Sequence, residues 1–319
     1  MSIFSFQRVQ RYNIFPTLQA IFNIFLYLRN MFVATIGFFD GVHRGHRCLI
    51  SQVLEEARRH KLSSMAITMD CHPRSVVSTD YVPSLLTTTE ERVALLKEAG
   101  IREVEVLHFD RRMSEMDAPT FMRSVLKERL RVKVLVMGYD HKFGHGGGSQ
   151  EDYIGWGQEC GIEVIVAREL DGMYASSSEI RRKLSEGDVK SAAMLLGHPY
   201  LLTGIVETGH QIWRTLGFPT ANLRIVADKL IPANGVYAVE TNFGKGIMNI
   251  GQRPTLDNGN NRSIEVHIIN YDGDLYGKGI QLNFIARIRE ERKFANLDEL
   301  RAQIHNDLEE AKQLFEATD

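Results

Sequence analysis

The chain concentrates residues capable of chemistry in a few short stretches, and the densest is "GFFDGVHRGH", Gly37 to His46, directly after the apolar run "MFVATI". A glycine-containing turn between a strand and a helix start exposes backbone N–H groups at the positive end of the helix dipole. Together these bind anions. His43 and His46, three residues apart, can add donors aimed at a phosphate whose charge grows in a transition state. "SSSEIRRKL" is a second stretch of interest, with Ser176, Ser177 and Ser178 at a helix start and Arg181 one turn in. Taken singly, each also reads as ordinary structure, a turn carrying surface histidines or a serine N-cap before an acidic helix start.

These stretches sit in a regular pattern. From Met31 to about Leu184, short apolar runs ("FVATI", "SMAIT", "EVEVL", "VKVLVM", "IEVIV") alternate with helical periods. In "HRCLISQVLEEARRH", Leu49, Ile50, Val53, Leu54 and Ala57 recur at helical spacing. "TTTEERVALLKEAG" carries a capping-box signature at Thr87 and Glu90 and a helix stop at Gly100. Strands alternating with helices predict a doubly wound parallel sheet covered on both faces, with ligands at the carboxyl ends of its strands, where the loops after "VATI" and "VLVM" meet. After Gly197 the runs "YLLTGIVE", "GVYAVE", "GIMNI", "SIEVHIINY" and "IQLNFIARI" follow one another with only turns between them. This predicts an antiparallel all-β unit, and "NLDELRAQIHNDLEEAKQLFE" closes the chain as a helix. The change of pattern falls in "LLGHPY", Leu195 to Tyr200.

Length and composition agree with two domains. The 319 residues exceed what one compact core usually needs, and the formal net charge of -2, with both signs interspersed, argues against nucleic-acid binding. Three widely spaced cysteines suit a reducing cytoplasm rather than a disulfide framework or a zinc site. Residues 1–30 carry Arg8, Arg11 and the apolar "IFPTLQAIFNIFLYL", like the start of a signal peptide, but the stretch is too short to span a bilayer and no small-residue cleavage site follows. Met31 offers an alternative start, so the expectation is a non-essential leader, with no membrane partner.

The combined motifs resemble a known family. The first stretch looks like the H-x-G-H signature of nucleotidylyltransferases, and the serine stretch like their I-S-S-T-x-I-R motif. "TMDCHPRSVV" and "GYDHKFGHGGG" resemble the T-F-D-P-H-P-R segment and the G-x-N/D-F-x-F-G loop of bacterial FAD synthetases, with Met69, Cys71 and His141 departing from the usual residues. "TLGFPTANL" contains the P-T-A-N tetrad of riboflavin kinases, and "NIGQRPT", "IEVHIINY" and "DLYGKGIQLNFIARIREE" follow in that family's order. In the flap before the tetrad, "WRTLG" keeps Arg214, Leu216 and Gly217 but places Trp213 where the family has glycine.

The chain is thus similar, from Phe32 to Phe315, to the prokaryotic bifunctional riboflavin kinase and FAD synthetase family. The resemblance implies residues 31–186 as a nucleotidylyltransferase-like, Rossmann-type domain that adenylylates FMN to FAD, and residues 187–319 as an antiparallel β-barrel riboflavin kinase domain with a C-terminal helix. It implies catalytic roles for His43, His46, Arg181 and Glu265, and ATP contacts from Gly37, Phe38, Gly45, Ser176, Ser177, Ser178, Thr220 and Asn222. Flavin contacts fall to Asp70, Asp140 and Arg289. Thr220 and Asn222 offer neutral oxygens to Mg2+, an ion that keeps waters and draws on nucleotide phosphates, and Glu265 can take the proton of a hydroxyl attacking the γ-phosphate of ATP. The partners expected are the small molecules riboflavin, FMN and ATP, with self-association into a homo-oligomer left open. Two alternatives fit the same residues: one half active and the other silent, or a non-catalytic flavin-binding regulator.

Overall fold

The structure, a computed structural model, describes residues 31–78, 83–168, 175–207, 218–252 and 262–317. The leader, Trp213, Arg214, Leu216 and Gly217 lie outside them, so those expectations are not addressed by it.

In the first half, strands β1 (Phe32–Ile36), β2 (Ser63–Met69), β3 (Glu103–Leu107), β4 (Val132–Met137) and β5 (Glu163–Val166) form one parallel sheet in the order β3-β2-β1-β4-β5. Their side chains alternate between two cores. Val33, Ala66, Val134 and Val136 pack on one face with Ile50 and Val53 of α1 (Arg44–His60) and Leu95 and Leu96 of α2 (Thr89–Glu98). Ala34, Ile36, Ile67 and Leu135 pack on the other with Phe121, Met122 and Tyr153, the last from α3 (Gln150–Cys160). Each such buried Ile or Leu contributes about 1.5–3 kcal/mol relative to exposure, and coverage of both faces explains the unbroken apolar runs. Chain order reverses direction between β1 and β4, so the loops that follow them diverge and leave a crevice.

The capping box lies one residue later than its sequence signature. Thr88 caps α2 and pairs reciprocally with Glu91, because the Thr87 hydroxyl and amide are engaged by Asp40 and Gly41 instead.

Helices α4 (Ser177–Ser185) and α5 (Val189–Leu196) lead into six antiparallel strands: β6 (Leu201–Glu207), β7 (Ala221–Ile225), β8 (Gly235–Thr241), β9 (Gly244–Gln252), β10 (Arg262–Ile268) and β11 (Gly279–Arg289). They close into a barrel in the order β10-β7-β6-β11-β8-β9. Helix α6 (Leu297–Glu316) covers one outer wall, where Ile304, Leu308, Ala311 and Phe315 pack on Val236, Ala238 and Ile247. Strand β7 is not among the runs the sequence marks, being five residues long and directly after Pro219 and Thr220; Ala221, Asn222 and Leu223 are buried in succession. A division at residues 186/187 falls in the turn between α4 and α5, yet Ile180, Leu184, Val189, Leu196 and even Leu86 share one core with the barrel interior. Among the described residues no helix is long and apolar enough to cross a membrane.

Candidate active sites

The carboxyl ends of β1, β4 and β5 open onto a cleft of about 690 Å³. Gly37, Phe38, His43, Gly45 and His46 line one side, Gly138, Asp140 and His141 another, and Ser176, Ser177 and Arg181 a third. The loop after β1 is tightly wound, with Phe39, Gly41 and Val42 at φ 55°, 79° and 40°. Two non-glycine residues in the left-handed region cost of order 1–3 kcal/mol each and persist only under strong packing; both are almost fully buried.

His43 caps α1, its Nδ1 accepting from the His46 amide at 3.4 Å. The two imidazoles stack with centroids 3.7 Å apart. Gly45 suits that stack, since a Cβ there would stand 3.2 Å from the His43 ring and press on it. Burial pulls the His43 pKa down to about 4 against the attraction of Asp40, and burial, reinforced by His43 and His141, holds His46 well below the ordinary value. Both rings are therefore neutral near pH 7. With Nδ1 of His43 accepting, its proton sits on Nε2, leaving a donor for a ligand. Nδ1 of His46 and Nε2 of His141 are buried and have no hydrogen-bond partner among the described residues.

Asp40, quoted in the first stretch but given no role there, organises the site. It is buried, and its carboxylate accepts from the amides of Leu86 and Thr87, from the Thr87 hydroxyl and from Nη2 of Arg181. Nε of Arg181 donates to the Ser84 carbonyl at 2.8 Å. Ser176 caps α4 and Ser177 Oγ donates to the Asp40 carbonyl, while Ser178 sits in the first turn. No sequence motif signals Asp40, since its partners are 46, 47 and 141 residues away.

Asp70 lies at the end of β2, its carboxylate held by the Phe109 amide at 3.0 Å and the His108 ring at 2.6 Å. Burial opposes the shift, but these two partners keep its pKa below the ordinary value. Beside it, Arg92 is fully buried, donates to the Met69 carbonyl and lies 4.2 Å above the Phe38 ring centroid.

The barrel gathers a different set. Asn222, Glu265 and Asn249 stand directly opposite one another across β7, β10 and β9, and the register continues through Val236 to Arg289. Opposed residues share a face, and because Ile264 and Val266 face the interior, this row runs along the barrel's outer surface. Arg289 is three inter-strand spacings from Glu265, about 14 Å. Its guanidinium is held by Asp307 of α6 through Nε and Nη2 and by the Glu290 carbonyl. Thr220 lines a pocket of about 310 Å³ at the barrel rim with Val206, Tyr271 and Asp274, and its Oγ1 is buried with no hydrogen-bond partner among the described residues. His267 fixes this turn, its ring 2.8 Å from the Pro219 carbonyl and edge-on to Phe218. The structure thus brings Gly37, Phe38, His43, Gly45, His46, Asp140, Ser176, Ser177 and Arg181 to one cleft, whose lining includes neither Asp70 nor Ser178, and places Arg289 in the row with Glu265 but engaged with α6.

Comparison with known proteins agrees with both halves. Residues 28–179 match the FAD synthetase family model and residues 196–315 the riboflavin kinase model. A bifunctional riboflavin kinase/FMN adenylyltransferase of Escherichia coli K12 is 38% identical over 90% of this chain and 93% of its own, and that of Bacillus subtilis 33% over 89% and 92%. The chain belongs to the bifunctional riboflavin kinase/FMN adenylyltransferase family. It is an enzyme of flavin cofactor biosynthesis, with the FAD synthetase half first and the kinase half second. A solved structure titled a macrolide-efflux protein, from Streptococcus pneumoniae, superposes with TM-score 0.78 at 30% identity, covering 88% of this chain and 93% of that one.

Proposed function

We propose that the two sites act in sequence on one flavin. At the barrel, the ribityl hydroxyl of riboflavin attacks the γ-phosphate of ATP, and Glu265 takes the hydroxyl proton, giving FMN and ADP. At the cleft, an FMN phosphate oxygen attacks the α-phosphate of a second ATP in line, giving FAD and pyrophosphate. There the neutral His43 and His46 donate to the oxygens on which charge grows, while Arg181 adds a fixed positive charge. The backbone at Gly37, Phe38 and Gly45 and the serines of α4 cradle the phosphates, and Asp70 and Asp140 orient the flavin.

The donors at the barrel fit Mg2+. Thr220 presents a buried hydroxyl that has no hydrogen-bond partner among the described residues, and Asn222 follows two residues on with a neutral carbonyl oxygen. An ion seated by Thr220 and Asn222 would take the rest of its shell from water and phosphate, and bound Mg2+ supplies charge neutralisation to the nucleotide. Arg289 acts here by fixing the end of β11 against α6.

The observation that carries the cleft's role is the pair of stacked, neutral imidazoles beside Arg181 at the crossover of a parallel sheet. The three free cysteines support a reducing, cytoplasmic setting. Incubation with riboflavin and Mg-ATP, followed by chromatography, tests the scheme: FMN should appear first and FAD next, with one pyrophosphate per FAD. FMN without FAD, or neither product, would overturn it.

A further inference from the structure

The adenylyl site is braced from the kinase half. Lys229, between β7 and β8, has its side chain wholly buried and donates to the Leu86 carbonyl and to Oε2 of Glu91. The backbone agrees: the Leu85 amide donates to the Asp228 carbonyl at 2.7 Å and the Leu230 amide to the Leu85 carbonyl at 2.8 Å, so residues 85–86 are bridged to the barrel. The Leu86 side chain belongs to the barrel's core. The other edge of this segment faces the cleft, where the Leu86 and Thr87 amides hold the Asp40 carboxylate and the Ser84 carbonyl holds Arg181. A second brace joins the same loop, Nε2 of His198 lying 3.0 Å from the Gly41 carbonyl.

We propose that Lys229 of the kinase half is a positioning residue for FMN adenylylation: it locks residues 84–87, which set Asp40, which sets the Arg181 guanidinium. Asp40 is buried and Arg181 partly buried at the cleft wall, and a misplacement of 1 Å in such a constellation costs up to about 10²-fold. Lys229 lines neither the cleft nor the rim pocket, and its contact with the barrel is the Tyr200 ring, 4.7 Å from Nζ, away from the row of Asn222 and Glu265. The inference rests on the reading of Arg181 as a phosphate-binding group.

The test uses the full chain. Lys229→Met alone would leave the Glu91 carboxylate buried and unpaired, so the informative variant is Lys229→Met combined with Glu91→Gln. Its kcat for adenylylation of supplied FMN should fall by about 10- to 10²-fold with the KM for FMN little changed, while kcat and KM for riboflavin phosphorylation stay at wild-type values. The kinase reaction thereby reports that the mutated half is folded. Lys229→Arg, which keeps the charge, should restore most of the lost adenylylation rate. Added to Asp40→Asn, the double substitution should cost little more, since both act through one chain of contacts. Loss of both activities together, loss of neither, or full additivity with Asp40→Asn would overturn the proposal. Arg181→Ala separates this from the site reading: if that variant keeps full adenylylation, the role of Arg181 fails, whereas a crippled Arg181→Ala beside an unimpaired Lys229→Met/Glu91→Gln sinks the brace alone.

Discussion

The two halves build their sites in opposite ways. In the α/β half, side chains come from loops at the ends of three strands and from a helix start, and a buried carboxylate, Asp40, ties together groups up to 141 residues apart. In the barrel, Asn222, Asn249 and Glu265 occupy one row on three regular strands, placed by the ladder itself. A loop-built site needs a network to hold it, and perturbation of the network should spread. A ladder-built site is positioned by many backbone hydrogen bonds, and a side-chain change there should stay local.

The largest expected effect sharpens the local side of that contrast. Glu265→Ala should lower riboflavin phosphorylation by about 10²- to 10⁴-fold, the usual contribution of a general base, and leave the unfolding midpoint and adenylylation of supplied FMN near wild type. A barrel that melts instead would show that Glu265 is structural. Next comes Asp40→Asn, which keeps the shape and removes the charge facing Arg181. We expect adenylylation to fall by roughly 10²-fold together with a lower unfolding midpoint, since one partner of a buried ion pair is lost. Unchanged steady-state constants would break the picture of a network-held site.

Acid should distinguish the halves as well. The His43 pKa is lowered from 6.5 unfolded to about 4 folded, so its contribution is fully present above pH 6.5 and is lost as pH falls from there toward 4, where the unfolded chain takes up the proton first. The loss amounts to on the order of 3 kcal/mol. Burial also lowers the pKa values of His46, His72 and His141 in the α/β half and of His198, which contacts that half through the Gly41 carbonyl. Urea unfolding at pH 7 and pH 5 should show this sensitivity in the wild type and less of it in His43→Asn, whose side chain can still cap α1. Equal pH dependence in the two chains would contradict the assignment. The smallest effect expected is that of Trp213→Gly, which restores the family's glycine: a several-fold change in the riboflavin or ATP KM of the kinase step, of the size of one or two hydrogen bonds, with adenylylation untouched.

Much of this arrangement was legible in the sequence where spacing is local. His43 and His46, the serine cap at Ser176 and the opposed strand periods of the two halves are short-range patterns, and the structure places them as read. The roles of Asp40 and Lys229, and the engagement of Thr87 by Asp40, are not legible there because the partners are far away in sequence. The capping box was misplaced by one residue for the same reason, since Thr87 fits the local rule but is claimed by Asp40. Strand β7 is harder to read: Ala-Asn-Leu-Arg-Ile alternates in type, but the run is only five residues long, follows closely on Pro219 and holds a single β-branched residue and no aromatic.

The central claim is that each half carries its own chemistry, and the product pattern of His46→Ala tests it most directly. Removing one preorganised donor should cost adenylylation about 10²- to 10³-fold, so this variant, given riboflavin and Mg-ATP and read by chromatography, should accumulate FMN at the wild-type rate with almost no FAD. If FMN formation collapses along with FAD formation while circular dichroism shows an intact fold, the two reactions do not belong to separate sites.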